Sequence, residues 1–470
     1  MLLALLLSCS KDLSPGQDEP TSPGTATLSP SVRIADRVPT VPVISFTAPD
    51  GATSWVEYGP APDQLGRITP STTDTSAEIR IFGAKAGHEV FFRVVATLAD
   101  GTAVSSEIDS VALAPAPAGL LGTVTASEPD LQAPGGFAIT MVRDPDLPSE
   151  VVIYDRDGDV VWYVAAPRGT HSTTVRLTTD RLGVAYGFYA QTQDDELGGI
   201  YRVAFDGDSD DQVTHTRLAH HDFRELSDGN WAYLGLDLRK DQAVEGETAN
   251  VMTDRIYEIE DGAPLGTEPV EIINWFDDWP YDPWWVCSHM IEDSVVPNYK
   301  EWTHSNSLMQ DPVEPDRYYW VLSRYLDALS KIDRQTGRQV LQIGGEHATI
   351  PQVGGTWSHP HMSHLWAGGF ALFNNNSHGA GFSSAQEWTF DGETAELVNE
   401  WVGTASMNGM ADVVKLSNGN ALVGWTLLGY IEERTPDDRL AWRLEYPGAA
   451  GGRVILVDNL YERNPDVYAP

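Results

Sequence analysis

The run Ala328-Leu329-Ser330-Lys331-Ile332-Asp333, the turn Arg334-Gln335-Thr336-Gly337 and the run Arg338-Gln339-Val340-Leu341-Gln342-Ile343 together decide the fold. Asp and Gly favour a tight reversal, one by bonding back to the backbone and the other by tolerating positive φ. The short apolar runs on either side read as paired strands. The same form, with an aromatic in or beside its strands, recurs over 151–162, 200–218, 255–275, 385–401 and 430–442. Repeats roughly 40–60 residues apart, each with room for four short strands, are the signature of propeller blades. No long stretch of helical period interrupts them. The expected fold is therefore all-β: a six-bladed β-propeller over 120–470 preceded by a small β-sandwich, with 452–458 returning to complete the first blade and close the ring.

The first half of each repeat should supply the inner strands that line the channel. Three of their turns are visible: Ser227-Asp228-Gly229-Asn230, Ala367-Gly368-Gly369 and Ser417-Asn418-Gly419-Asn420. Hairpin turns of this kind fix a register. Counting back eight residues from Gly229, Gly369 and Gly419 gives His221, His361 and Ala411. His304 opens the equivalent strand of the fourth repeat, although an insertion near 311–316 prevents the same count. Positions equivalent by repeat form a ring about one axis, so His221, His304 and His361 are expected to converge at one end of the channel. Arg324 closes the apolar run Tyr318-Tyr319-Trp320-Val321-Leu322-Ser323, where a buried cation needs an anion; Asp327 and Asp333 are the near alternatives. Asn306, two residues after His304, shares its strand face.

Upstream, 37–114 alternates short apolar runs with turn signals, as a β-sandwich does. The segment Gly87-His88-Glu89-Val90-Phe91-Phe92-Arg93-Val94-Val95-Ala96, with Asp100-Gly101 and Ser105-Ser106 after it, resembles a fibronectin type III domain. Ala114-Pro115-Ala116-Pro117-Ala118-Gly119 reads as the linker that follows. Residues 10–36, rich in Ser, Pro, Thr and Gly, read as a flexible tether. Residues 1–9 read as the end of a secretory signal. Within it Leu6-Leu7-Ser8-Cys9 resembles the lipobox of bacterial lipoproteins, without the usual basic residues before it. Lipidation at Cys9 would make the protein an exported, periplasmic or outer-membrane lipoprotein. It would also leave Cys287 as the remaining cysteine of two, without an intrachain disulfide. The formal charge of −38 argues against nucleic acid, which demands a basic footprint. A small anionic substrate would then need a local positive trap.

Three histidines suit two chemistries. With Asp222 they could bind a metal, as in a metal-dependent hydrolase, but Arg324 beside a dication would be repelled. Alternatively, a neutral imidazole is a nucleophile, and further histidines, an arginine and an amide absorb charge on a tetrahedral anion. No Gly-x-Ser-x-Gly elbow, P-loop or dinucleotide fingerprint is present. A non-catalytic propeller binding a ligand or a partner protein is a third reading.

The segments His220-His221-Asp222-Phe223, His304-Ser305-Asn306-Ser307-Leu308, Leu322-Ser323-Arg324 with Asp327, Gly344-Gly345, and Leu416-Ser417-Asn418-Gly419-Asn420 to Gly424-Trp425 together resemble the bacterial arylsulfate sulfotransferase family over about 135–460. That resemblance implies a periplasmic six-bladed propeller with no cofactor and no nucleotide donor. It implies sulfate transfer from a phenolic ester to a phenolic acceptor, ping-pong, through a sulfohistidine. Carried over, His361 is the nucleophile, while His221, His304, Arg324 and Asn306 hold the sulfate, with His359 and His220 beside them. A protonated histidine would assist the leaving phenolate, and Trp302, Trp425 and Tyr325 are candidates for stacking on the phenol. The chain departs from the family after His361, where Met362 replaces the usual Asp and further histidines flank the site; His359 is the alternative equivalent.

Overall fold

The computed structural model describes residues 28–143, 150–165, 171–178, 183–189, 197–208, 212–244, 246–279 and 298–461. The expected lipidation site Cys9, the leader, most of the tether, and Cys287 lie outside the described residues. Among the described residues no helix is long and apolar enough to cross a membrane.

Six sheets follow one another along the chain, and each of the six hairpins read from the repeat falls within its own sheet. Blade 1 joins Phe137–Arg143, Glu150–Asp155 and Val160–Ala165 to the returning strand Ala449–Val457, which is its innermost strand. The innermost strands of blades 2 to 6 are His171–Leu177, Ala219–Glu225, Ser305–Gln310, Pro360–Trp366 and Asp412–Lys415. A second closure comes from the other end of the domain: Thr123–Ser127 adds a fifth, outer strand to blade 6. Blades 6 and 1 are thus tied together by strands from both ends of the propeller, as a six-bladed ring requires.

Strand period explains the packing. Side chains alternate between faces, so neighbouring residues of one strand serve different inter-blade interfaces. In blade 4, Tyr319 and Val321 join the cluster shared with blade 3, whereas Trp320 and Leu322 join the one shared with blade 5. Each pair of adjacent blades has such an apolar cluster. At roughly 25 cal/mol per Å² of apolar surface buried, these six seams are the main source of cohesion in a ring that has no single centre of its own.

The sandwich has two sheets, one of Ser31–Ile34, Pro42–Thr47 and Ser76–Arg80, and one built on Thr53–Gly59 and Glu89–Thr97. They enclose their own core around Ile44, Val56, Phe92 and Val94. The tether is shorter than its composition suggested: Leu28 is already buried in this core, and Ser31–Ile34 pairs along Pro42–Thr47. Those four residues are half exposed and set among Ser and Pro, so their alternation was masked. The sandwich is docked rather than loose. Asp208 of blade 2 accepts from Arg33 (3.0 and 2.7 Å) and Arg80 (3.0 Å). Lys85 reaches Asp155, Asp157 and Asp159 of blade 1 at 3.1, 2.8 and 2.7 Å. Val38, Val41 and Phe82 join the seam between blades 1 and 2.

Candidate active site

At one end of the channel the inner strands of blades 3 to 6 begin with left-handed residues. His221, His304, His359, Met362 and Ala411 have φ of 50°, 47°, 49°, 45° and 83°. Non-glycine residues pay on the order of 1 kcal/mol each for such angles and persist only where the surroundings enforce them. Bulges accompany them in blades 3, 4 and 5, between His220 and Phe223, Ser305 and Ser307, and His361 and Ser363. A bulge re-aims side chains out of the strict alternation. Here it brings imidazoles from three strands to one place. Ring centroids of His221 and His304 lie 4.8 Å apart, and those of His221 and His361 lie 6.4 Å apart.

His361 is buried, and its Nδ1–H donates to the carbonyl of Ala411 at 2.7 Å. This bond sets the tautomer: Nε2 keeps the lone pair. Ala411, the blade 6 position equivalent to His221, thus contributes a backbone carbonyl where the other blades contribute imidazoles. Burial pushes the His361 imidazole down to about 3, with further depression from Arg324 and His304. Burial, then His304 and His220, likewise hold His221 well below the ordinary histidine range. His304 Nδ1 faces the Glu301 carboxylate at 2.7 Å. Arg324 is buried and donates to the Asn408 carbonyl. Neither Asp327 nor Asp333 is its partner: Asp327 faces His378 at 3.3 Å and Asp333 faces Arg317 at 3.9 Å. Among the described residues Arg324 has no carboxylate within ion-pair distance; Asp327 acts on it from further off, and its charge bears on the His221 and His361 rings.

The scaffold holds several of the expected site residues. Asn306 is committed to the backbone of blade 5: Nδ2 donates to the Pro360 carbonyl at 2.8 Å and Oδ1 accepts from the Met362 amide at 3.1 Å. It staples the His361 segment in place. His220 has both nitrogens engaged, Nδ1 with His221 Nδ1 at 2.9 Å and Nε2 with Asp254 at 3.1 Å. It positions His221. Trp302 and Trp425 are fully buried in inter-blade seams and offer no stacking face. Tyr325 does belong here, with its ring 5.2 Å from both His304 and His359. His359 lies on that side, 4.4 Å from His378, and its amide donates to Asp327 at 2.5 Å.

Asp222 does not join the histidines. It lies in the next layer, bonded to Arg176 and Arg453. Among the described residues, groups close enough to share a cation are Asp327, His359 and His378, and the Asp155–Asp157–Asp159 cluster, which Lys85 already occupies. The channel histidines His221, His304 and His361 form neither. Asp254 and Glu301 were missed in the sequence. Asp254, bonded also to Thr303 Oγ1 and the Ser305 amide at 2.5 Å each, orients the site from a strand that looks like any other.

Residues 125–353 match the model of the arylsulfotransferase (ASST) family. The match runs from the added strand of blade 6 to Gln352–Val353, which pairs with the outer strand of blade 5, and covers His221, His304 and Arg324. It supports an arylsulfotransferase-like function. No curated protein matches the sequence. Among solved structures the chain is similar to a protein of unknown function from Bacteroides caccae, at 12% identity, covering 69% of this chain and 100% of that one with a TM-score of 0.41. It is similar to a streptogramin B lyase at 9% identity, covering 70% and 88% with a TM-score of 0.35. It is also similar to apo AztD from Citrobacter koseri at 9% identity, covering 86% and 98% with a TM-score of 0.34. Likenesses this distant carry no argument about chemistry.

Proposed function

We propose that the protein moves a sulfuryl group from a phenolic sulfate ester to a phenolic acceptor, ping-pong, through a sulfohistidine at His361. The observation that carries this reading is the His361–Ala411 bond, which leaves Nε2 as a lone-pair nitrogen among His221, His304 and Arg324.

In the first half-reaction His361 Nε2 forms a bond to sulfur, and the sulfur–oxygen bond to the aryl group breaks. The phenolate departs with the electron pair. His304, backed by Glu301, supplies its proton and recovers one from the incoming phenol. Arg324 and the His221 ring stabilise charge on the sulfuryl oxygens. The Ala411 carbonyl keeps a proton on Nδ1, so the sulfated ring stays cationic. In the second half-reaction the acceptor oxygen bonds to sulfur, and the ring leaves as neutral imidazole.

The pair Asp254–His220 orients His221. The rings of His220 and His221 meet through their Nδ1 atoms at 2.9 Å, and the other nitrogen of His220 faces Asp254 at 3.1 Å. The exported, lipid-anchored location is proposed on Leu6-Leu7-Ser8-Cys9 alone, and loss of palmitate labelling in Cys9→Ala cells is its test.

The enzymatic reading is tested with 4-nitrophenyl sulfate, with and without added phenol, following nitrophenol release. Acceptor-dependent release is expected, together with a stable sulfuryl mass increment on the peptide holding His361 when acceptor is omitted. Folded protein that binds the ester without release or increment would instead favour a ligand-binding propeller.

A further inference from the structure

The inner strands continue past the histidines into a second charged region. Asp222, Arg453, Asp412, Ser307 and Ser363 form a buried layer, in which Arg453 donates to Asp222 at 2.6 Å, to Ser307 Oγ at 2.9 Å and to the Ser363 carbonyl at 2.9 Å. Next to this layer is a cavity of about 270 Å³. Arg176, Arg224, Arg453, Asp412 and His364 line it, and apolar side chains of the same strands complete the wall.

The charges in this wall do not balance. Asp222 takes Arg176 at 2.7 and 2.5 Å as well as Arg453, and also accepts from the Leu308 and Phe223 amides at 2.8 and 3.0 Å. Its lone pairs are used. Asp412 is 3.4 Å from Arg453 and accepts from the Val454 amide at 3.1 Å, and burial pushes its carboxyl up to about 6. Arg224 is left with the Leu308 carbonyl at 2.7 Å and the Met309 sulfur. Among the described residues no carboxylate lies within ion-pair distance of it; Asp222 and Asp412 act on it only from further off. Arg453 is 4% exposed, and its buried Nε has no hydrogen-bond partner. A guanidinium cannot shed its proton to relieve burial, so an unmatched one calls for an anion.

We propose that this cavity is a second binding site, separate from the histidine cluster, for a small organic anion: a carboxylate or sulfate head against Arg224 and Arg453, with an apolar body against Leu365, Val414 and Ile455. The volume fits that class. An apolar cavity of about 150 Å³ already accepts benzene, and this one leaves room for a charged head as well.

Thermal unfolding of the full chain with benzoate, and with neutral benzamide, tests the site. Saturating benzoate is expected to raise the Tm of the wild-type protein by roughly 2–4 °C, and benzamide to leave it unchanged. Arg324→Met, which alters the histidine end, should keep the benzoate shift. Arg224→Met should lose it, while being at least as stable as wild type without anion, because an unmatched buried cation is gone. Leu365→Trp, which fills the cavity without changing charge, should lose it too. No shift in the wild type, a shift that survives both Arg224→Met and Leu365→Trp, or a shift lost in Arg324→Met would overturn the proposal. None of these readouts depends on sulfuryl transfer, so the second site and the proposed activity fail independently.

Discussion

The two ends of the channel are made by the same inner strands, yet burial, which pulls on the cations of both, leaves one end neutral and the other charged. At the histidine end, desolvation strips protons: His361 falls to about 3 and His221 well below its usual range, so the rings are neutral and able to act as nucleophiles or acceptors. At the arginine end burial also pulls Arg176 and Arg224 down, but a guanidinium starts so high that it keeps its charge, and the fold must supply Asp222 and Asp412 against it. The comparison teaches that the scaffold is indifferent to the chemistry. What decides it is whether the side chain at a given register can relinquish its proton.

The largest expected effect breaks one end alone. His361→Ala should lower acceptor-dependent nitrophenol release by about 10⁴-fold, with ester binding changed only a few-fold. A residual rate near wild type would remove His361 from the mechanism. Asp222→Ala should break the other end, leaving Arg176 and Arg453 buried without their shared carboxylate. A loss of about 3–5 kcal/mol is expected, read by urea unfolding.

Arg324→Met comes next. It should reduce kcat/KM by roughly 10²-fold, and the loss should fall mainly on kcat if Arg324 meets charge that grows in the transition state. An effect confined to KM would make it a simple binding group.

The smallest effects are the pH slopes, and they differ in sign between the ends. His361 has a folded pKa below its unfolded one, so the unfolded chain binds the extra proton and stability is lost as pH falls from about 6.5 towards 3. Asp412 has a folded pKa above its unfolded one, so its contribution is lost as pH rises from about 4 through 6. Urea titrations across this window should show His361→Gln flattening the first slope and Asp412→Asn the second. Neutral His361 also places the acid limb of the pH–rate profile well below 6.5.

Much of this molecule was legible as sequence because its signals are local. The Asp–Gly turn at 333–337 and its counterparts mark strand ends, and strand period 2 assigns faces; six hairpins read that way fall in six blades. Counting back from Gly229 and Gly419 reaches equivalent positions, His221 and Ala411, because those turns close the same way, Leu226 with Asn230 and Leu416 with Asn420; the blade 5 turn is tighter, with Trp366 opposite Gly369.

Other features became visible only when the ring closed. Nothing near Asn306 announces that blade 5 consumes its amide, nor near His220 that Asp254 holds it. Trp302 and Trp425 looked available until their seams were assembled. Arg453 and Asp222 lie 231 positions apart, and only the return of Ala449–Val457 as the innermost strand of blade 1 brings them together. Turns and periodicity follow from the bonding of a few neighbouring residues, so the sequence by itself determined the blades and their register. Side-chain partners, and with them every shifted proton, depend on which strand stands across the axis, and that was decided by the tertiary structure.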